Sequence, residues 1–311
     1  MVDWRSLINE PQCMDAVEFL TLLPDASVDA VITDPPYPCI KRDYGYWTVE
    51  EWWALVVEGV VPQVRRILKP TGSAVFILQP NSEHVGQMRG WLWEFMAWVC
   101  REWNMVQDVW WWNTSALTGG HGIHVNLLKP AITACVWAGA PECYRSRHTV
   151  LWNLVDLEAI KYRARTATDD LECSPSRPHG IRRGRLYKNA IARNAGTPHN
   201  IIPLANSNST SDPGSFGHGA GKPLKLADWW TRYIVPSGGI VCDPFLGSGT
   251  MALAAIQNGC QFVGCDNVPA YVEIAKRRVA EAQVKVRAEL AQPRQLDLLQ
   301  PARITSNPME D

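Results

Sequence analysis

The chain has 311 residues, of which 46% are hydrophobic and 20% charged, a balance that fits a globular protein with a sizeable core. Its formal net charge of −1 excludes a molecule that is polycationic throughout, so any nucleic-acid footprint has to be local. The length accommodates one large α/β domain or two smaller ones.

In chain order, the opening M-V-D-W-R-S-L-I-N-E has no apolar h-region, so no signal peptide is expected. Gln12–Leu23 predicts a helix with Ala16, Phe19, Leu20 and Leu23 apolar, closed by Pro24-Asp25. Val28–Thr33 predicts a buried strand, and Glu50–Leu68 a long helix interrupted or kinked near Pro62. Lys69-Pro70-Thr71-Gly72 then predicts a turn, with Ser73–Leu78 an apolar strand of the parallel-sheet type. Ser82–Trp103 predicts a helix. Its apolar run Trp91–Trp103 is too short for a membrane span and carries Glu94, Arg101 and Glu102. Strands follow at Met105–Trp112 and Ala131–Trp137, around the irregular, glycine-rich Ser115–Val125.

From about Pro141 the texture changes. Lys161, Arg163, Arg165, Arg177, Arg182, Arg183, Arg185, Lys188 and Arg193 crowd one segment, against Asp169, Asp170 and Glu172. Arginine and lysine neutralise phosphates and some arginines read guanine edges, so any local nucleic-acid footprint is expected on this segment. Pro198–Gly221 predicts a linker. Order returns with a helix at Leu224–Tyr233, a strand at Gly239–Asp243, a helix at Thr250–Asn258, a strand at Gln261–Asp266 and a helix at Ala270–Glu289. The tail from Pro293 is expected to be poorly ordered. Helices alternating with strands predict a doubly wound α/β sheet.

Nine scattered cysteines form no C-x-x-C pair and predict reduced thiols in a cytoplasmic protein. His121 and His124 lack a Cys, Asp or Glu to complete a metal site and are expected to be polar loop residues, so no metal is expected. The fifteen tryptophans are expected mainly in the core, with Trp110–Trp112 alternating between core and surface.

Two stretches carry chemistry. D-P-F-L-G-S-G-T (Asp243–Thr250) lies between a predicted strand and a predicted helix, where glycine lets backbone approach a ligand closely. Twenty-three positions after Asp243, the next strand ends in Asp266, the place at which an acid commonly holds ribose hydroxyls. With neither G-x-G-x-x-G nor G-x-x-x-x-G-K-[ST], a ligand with a ribose but no pyrophosphate fits best. The second stretch is V-D-A-V-I-T-D-P-P-Y-P, in which a buried strand delivers Asp34, Pro35, Pro36 and Tyr37 at its carboxyl end.

D-P-P-Y, D-P-F-L-G-S-G-T and V-G-C-D together resemble the S-adenosylmethionine-dependent amino-methyltransferases of DNA, the N6-adenine and N4-cytosine family. The tetrad comes first and the cofactor loop last, an order that resembles the circularly permuted β class. Met14–Tyr37 resembles the family's N-terminal run, and G-H-G-A-G-K-P-L-K-L (Gly217–Leu226) its Lys-Pro motif. Pro38 stands where many relatives have a polar residue, and Lys129-Pro130 near where many carry His and Glu.

The resemblance implies a doubly wound, mostly parallel Rossmann-like sheet, circularly permuted, with an inserted target-recognition region. Residues 1–140 would be the catalytic half and 141–216 the target-recognition region and linker. Residues 217–290 would be the cofactor-binding half, and 291–311 a disordered tail. S-adenosylmethionine is the implied cofactor, bound by Asp15, Lys222, Asp243, Phe245, Gly247, Ser248, Gly249, Thr250 and Asp266. The implied catalytic residues are Asp34, Pro35, Pro36 and Tyr37, and the implied DNA contacts Arg163, Arg165, Arg177, Arg182, Arg183, Arg185 and Lys188.

In the implied mechanism Asp34 and the Pro35 carbonyl accept the amino hydrogens, while Tyr37 stacks on a base flipped out of double-stranded DNA. No cysteine nucleophile is implied, and Cys39 is a bystander. Adenine N6 is the expected acceptor, because related cytosine-N4 enzymes more often carry Ser at the position of Asp34. Cytosine N4 is the alternative, and a DNA-binding relative without catalysis a third reading. The resemblance also suggests a homodimer and a cognate restriction endonuclease.

Overall fold

The computed structural model describes residues 3–42, 45–115, 127–128, 130–146, 149–150, 161–162, 164–165, 172–174, 177–181, 185, 187–188, 191, 198–206 and 222–291. The strands are β1 (Gln12–Cys13), β2 (Val28–Thr33), β3 (Leu68–Leu78), β4 (Ser82–His84), β5 (Gln87–Met88), β6 (Met105–Asn113) and β7 (Ile132–Gly139), followed by β8 (Glu172–Ser174), β9 (Arg177–Ile181), β10 (Ile201–Leu204), β11 (Ile240–Asp243) and β12 (Gln261–Asp266). The helices are α1 (Ala16–Thr21), α2 (Val49–Trp53), a π-helical segment Ala54–Val60, α3 (Val61–Ile67), α4 (Trp91–Glu102), α5 (Leu224–Ile234), α6 (Thr250–Gln257) and α7 (Pro269–Ala291).

Eight strands form one sheet in the order β1-β12-β11-β2-β3-β7-β6-β10. Every pairing is parallel except those of β7, which runs antiparallel to β3 and β6. Burial on both faces explains why the central strands read as unbroken apolar runs. Along β3, Ala74, Phe76 and Leu78 pack on one face with α1, the Val49–Ile67 helix and α4, while Val75 and Ile77 pack on the other with α5, α6 and α7. The tryptophans serve both layers: Trp52 and Trp91 lie edge to face at 4.9 Å in the first, Trp137 and Trp230 at 5.9 Å in the second. Among Trp110–Trp112, Trp111 is buried and Trp112 exposed, as alternation on a strand requires.

β11, from the late part of the chain, hydrogen-bonds directly to β2 from the early part, with Val241 opposite Ala30 and Cys242 opposite Val31. The carboxyl ends of these two strands therefore lie side by side. Open α/β sheets hold their ligands at that edge.

The structure corrects several expectations. Helix α1 starts only at Ala16, because Asp15 caps it by accepting from the Val17 and Glu18 amides, and the preceding Gln12–Cys13 joins the sheet edge. The long helix is interrupted before Pro62, by one π-helical stretch whose end is marked by the Val61 amide donating to the Val56 carbonyl. Lys69-Pro70-Thr71-Gly72 is no turn. It lies within β3 as a bulge, because Val28 faces Leu68 while Ala30 already faces Ser73. Ser82–Trp103 is not one helix: a hairpin, β4 and β5, precedes α4, with Gly86 left-handed at φ 82° between its strands. Ile201–Leu204, expected to be linker, is β10, whose Pro203 is tolerated because β10 is the edge of the sheet. Among the described residues, no helix is long and apolar enough to cross a membrane. Residues 116–125 of the glycine-rich stretch and the tail from Pro293 lie outside the described residues.

Candidate functional site

A cavity of about 330 Å³ opens at the carboxyl ends of β2 and β11. Asp15, Asp34, Lys222, Asp243 and Asp266 give it its charge, with Phe245, Trp47 and Tyr271 among its rings.

The glycine loop forms one wall. Gly247 and Gly249 are left-handed, at φ 53° and 87°. A Cβ on Gly249 would come within 3.1 Å of the Ala275 Cβ, so the residue is needed where the loop presses on α7. The Gly247 amide donates to Asp266 Oδ2 at 2.9 Å and the Val268 amide to Asp266 Oδ1 at 2.9 Å, so the acid ties the loop to the entrance of α7. Buried Arg278 braces the loop from behind, donating to the carbonyl and hydroxyl of Ser248 at 2.6 and 3.0 Å.

Asp243 joins the two halves of the site. Its Oδ1 accepts from Thr33 Oγ1 at 2.7 Å and from the Phe245 amide at 3.1 Å. Burial pushes its carboxyl up to about 7, the two hydrogen bonds work in the opposite direction, and the neighbouring Asp34 and Asp266 push it further up.

The D-P-P-Y turn forms the other wall. Tyr37 Oη donates to Asp34 Oδ1 at 2.6 Å, and Lys222 Nζ to Asp34 Oδ2 at 2.7 Å. The same ammonium stands 5.1 Å from the centre of the Tyr37 ring. The Pro36 carbonyl accepts from the buried Trp52 indole at 2.7 Å, anchoring the turn in the aromatic core. Asn81 Nδ2 donates to the Pro38 carbonyl at 2.6 Å and its oxygen accepts from the Trp91 indole, so the residue before β4 ties the end of the turn to α4.

Asp15, Asp34, Pro36, Lys222, Asp243, Phe245, Gly247, Ser248, Thr250 and Asp266, all expected at the site, line this one cavity. Gly249 is not among the lining residues and acts in packing instead; Pro35 and Tyr37 are also outside the lining, although Tyr37 reaches it through Asp34. Lys222, expected at the cofactor, sits on Asp34. Thr33, Trp47, Asn267 and Tyr271 line the cavity without having been read from the sequence. Thr33 and Asn267 adjoin expected acids, which is the one signal that pointed to them.

Cys39 does not line the cavity, and burial pushes the nearby Cys242 and Cys265 thiols up, away from nucleophilic thiolates. Among the described residues, no group of His, Cys, Asp and Glu suits a metal ion. Of the expected DNA contacts, Arg165, Arg185 and Lys188 are exposed, and Arg177 lies on β9. Arg163, Arg182, Arg183, His121 and His124 lie outside the described residues.

The family model N6_N4_Mtase, described as DNA methylase, matches residues 28–277. The type II methyltransferase M.ScaI of Streptomyces caespitosus is 24% identical over 276 residues, covering 86% of this chain and 81% of that protein. The solved structure of the PvuII DNA methyltransferase, cytosine-N4-specific, superposes with a TM-score of 0.61 at 20% identity, over 88% of this chain and 90% of that one. TTHA0409 from Thermus thermophilus, solved in complex with S-adenosyl-L-methionine, superposes with a TM-score of 0.52 at 22% identity, over 88% of this chain and 93% of that one. These superpositions carry the mostly parallel Rossmann-like fold.

Proposed function

This chain belongs to the N6/N4 DNA methylase family, and we propose that it transfers the methyl group of S-adenosylmethionine to the exocyclic N6 amino group of adenine in double-stranded DNA. The observation that supports methyl transfer is the seam between β2 and β11, where Thr33 binds Asp243 at 2.7 Å and sets the tetrad acid beside the glycine loop in one cavity, and the choice of adenine rests on Asp34, where related cytosine-N4 enzymes more often carry Ser.

The residues fit the cofactor. Three carboxylates, Asp34, Asp243 and Asp266, face a cavity suited to a ligand that carries a sulfonium and an ammonium. Asp266 lines the cavity at the end of β12, where an acid is placed to hold ribose hydroxyls. When bound, S-adenosylmethionine supplies an electrophilic methyl group. Transfer forms a carbon–nitrogen bond, breaks the carbon–sulfur bond and releases one amino proton.

The chain's own task is orientation. An exocyclic amino nitrogen is a weak nucleophile because its lone pair is delocalised into the base. Two acceptors on its hydrogens favour a pyramidal nitrogen with the lone pair turned toward the methyl group. Asp34 is one acceptor. Because the Pro36 carbonyl is engaged by Trp52, the second acceptor is assigned to the Pro35 carbonyl. The Tyr37 ring stacks on the flipped base. Placing nitrogen and methyl in line turns a bimolecular displacement into an effectively unimolecular one. The region 141–216, with its exposed Arg165, Arg185 and Lys188, is assigned to phosphate and base contacts.

The likeness to a cytosine-N4-specific structure favours cytosine N4 as the second reading. Incubation with labelled S-adenosylmethionine and unmethylated genomic DNA, followed by digestion to nucleosides, separates the two. Label in N6-methyladenine is expected, and label in N4-methylcytosine transfers the assignment. No labelled nucleoside under conditions where cofactor binds would overturn the function.

A further inference from the structure

Both oxygens of Asp34 already have a charged or hydroxyl donor: Tyr37 Oη on Oδ1 at 2.6 Å, Lys222 Nζ on Oδ2 at 2.7 Å. An incoming amino group also brings donors, and each oxygen has room for a second one, so the acceptor oxygen is set by which of the two present donors is free to move aside. The two differ in how they are mounted. Tyr37 belongs to the irregular turn after β2, three residues from Asp34, and has to present its ring face to a base. Lys222 comes from 188 residues away and directly precedes Pro223, the cap of α5. Proline restricts the backbone of the residue before it, and α5 is fixed through the buried Leu226, Ala227 and Trp230. The lysine thus projects from a rigid element, with side chains only 15% exposed for Lys222 and 28% for Asp34.

Resting on the methyltransferase reading above, we propose that Lys222 is the positioning residue of the acceptor site. It fixes the Asp34 carboxylate through Oδ2, leaving Oδ1, the oxygen now held by the Tyr37 hydroxyl, as the acceptor of the target amino group. Tyr37 releases Oδ1 when its ring turns to stack on the base, so base entry and exposure of the acceptor oxygen are one event. The ammonium is bound on one side by the carboxylate and on the other by the face of the Tyr37 ring, 5.1 Å away, which keeps it at the tetrad rather than at the glycine loop. Lysine is a point charge with rotatable donors, so it holds the carboxylate without dictating the plane of the amino group.

The test compares wild type, Lys222→Met and Lys222→Arg in the full chain, with S-adenosylmethionine and unmethylated genomic DNA. Cofactor affinity is read by calorimetry, which also reports whether each variant is folded, and methyl transfer by single turnover at saturating cofactor. For Lys222→Met the cofactor Kd is expected within about threefold of wild type, with the transfer rate down on the order of a hundredfold, as for a reacting group displaced by about an ångström. Lys222→Arg is expected to recover at least tenfold of that loss, because it restores a cation at Oδ2. A Kd raised tenfold or more, with an unchanged rate at saturation, would assign Lys222 to the cofactor and overturn the proposal. So would an unchanged rate and Kd, or an arginine variant no better than methionine. If methionine does not fold, a folded Lys222→Arg that transfers methyl no faster than Asp34→Ala overturns it as well. A wild type that methylates no nucleoside refutes the enzyme reading itself, whereas an active wild type with insensitive variants refutes this inference alone.

Discussion

Cofactor affinity is expected to depend on pH through Asp243. Its carboxyl is buried at the end of β11 and titrates near 7, against 3.8 in the absence of the fold, with burial the main cause. A raised carboxyl makes the folded state bind the extra proton between those two values, so this group's contribution to stability falls as pH rises from about 4 to about 7 and is level above. The shift corresponds to about 4 kcal/mol of preference for the neutral form. A cationic ligand in the cavity reverses that preference, so binding releases the proton. If only the ionised form accepts the ligand, the competent fraction rises from about 0.1 at pH 6 to about 0.9 at pH 8, an affinity gain of about tenfold. Calorimetry in two buffers of different ionisation enthalpy counts the protons: about 0.9 released at pH 6 and about 0.1 at pH 8 from this group. The cofactor's own amino group titrates in the neighbourhood of 8 and acts with opposite sign, so Asp243→Asn is the control that isolates the carboxyl. The reasoning is refuted if Asp243→Asn releases as many protons at pH 6 as the wild type.

Three further outcomes are expected. Asp34→Ala should abolish methyl transfer, measured with labelled cofactor, while leaving the cofactor Kd within a few fold, because the glycine loop is held by Asp266 and Arg278 independently of the tetrad. Gly249→Ala should raise the cofactor Kd roughly tenfold in calorimetry, since a Cβ at φ 87° and 3.1 Å from Ala275 strains the loop by about 1–3 kcal/mol. Trp52→Phe keeps the ring in the aromatic cluster but leaves the Pro36 carbonyl without its donor, so urea unfolding should show a loss of about 1–3 kcal/mol. The same variant should slow methyl transfer at saturating cofactor, because that hydrogen bond fixes the path of the turn.

Local signals made the two half-sites legible. In both, an apolar strand ends in an acid followed by residues that restrict or free the backbone: prolines after Asp34, glycines after Asp243. The elements misread are those where local punctuation met a long-range demand. Pro70 and Gly72 read as a turn, but pairing with β2 on either side of them, at Leu68 and at Ser73, carries the strand through as a bulge. Ile201–Leu204 has too short a pattern to declare itself, and only its pairing with Trp110–Asn113 makes it a strand. Apolar residues in Ser82–Trp103 suited a helix throughout, while Gly86 and Gly90 were the breakers that divided it.

The least legible feature is also the one on which the chemistry turns. Thr33 and Asp243 are 210 positions apart, and Lys222 and Asp34 188, so no spacing rule could pair them. Their meeting follows from sheet order: once β11 lies beside β2, the residues at both strand ends share one cavity regardless of which half comes first in the chain. A permuted order of motifs is therefore compatible with the same site, because the chemistry requires adjacency of strand ends and not adjacency in sequence. What the site needs is the seam between β2 and β11, with its Thr33–Asp243 hydrogen bond.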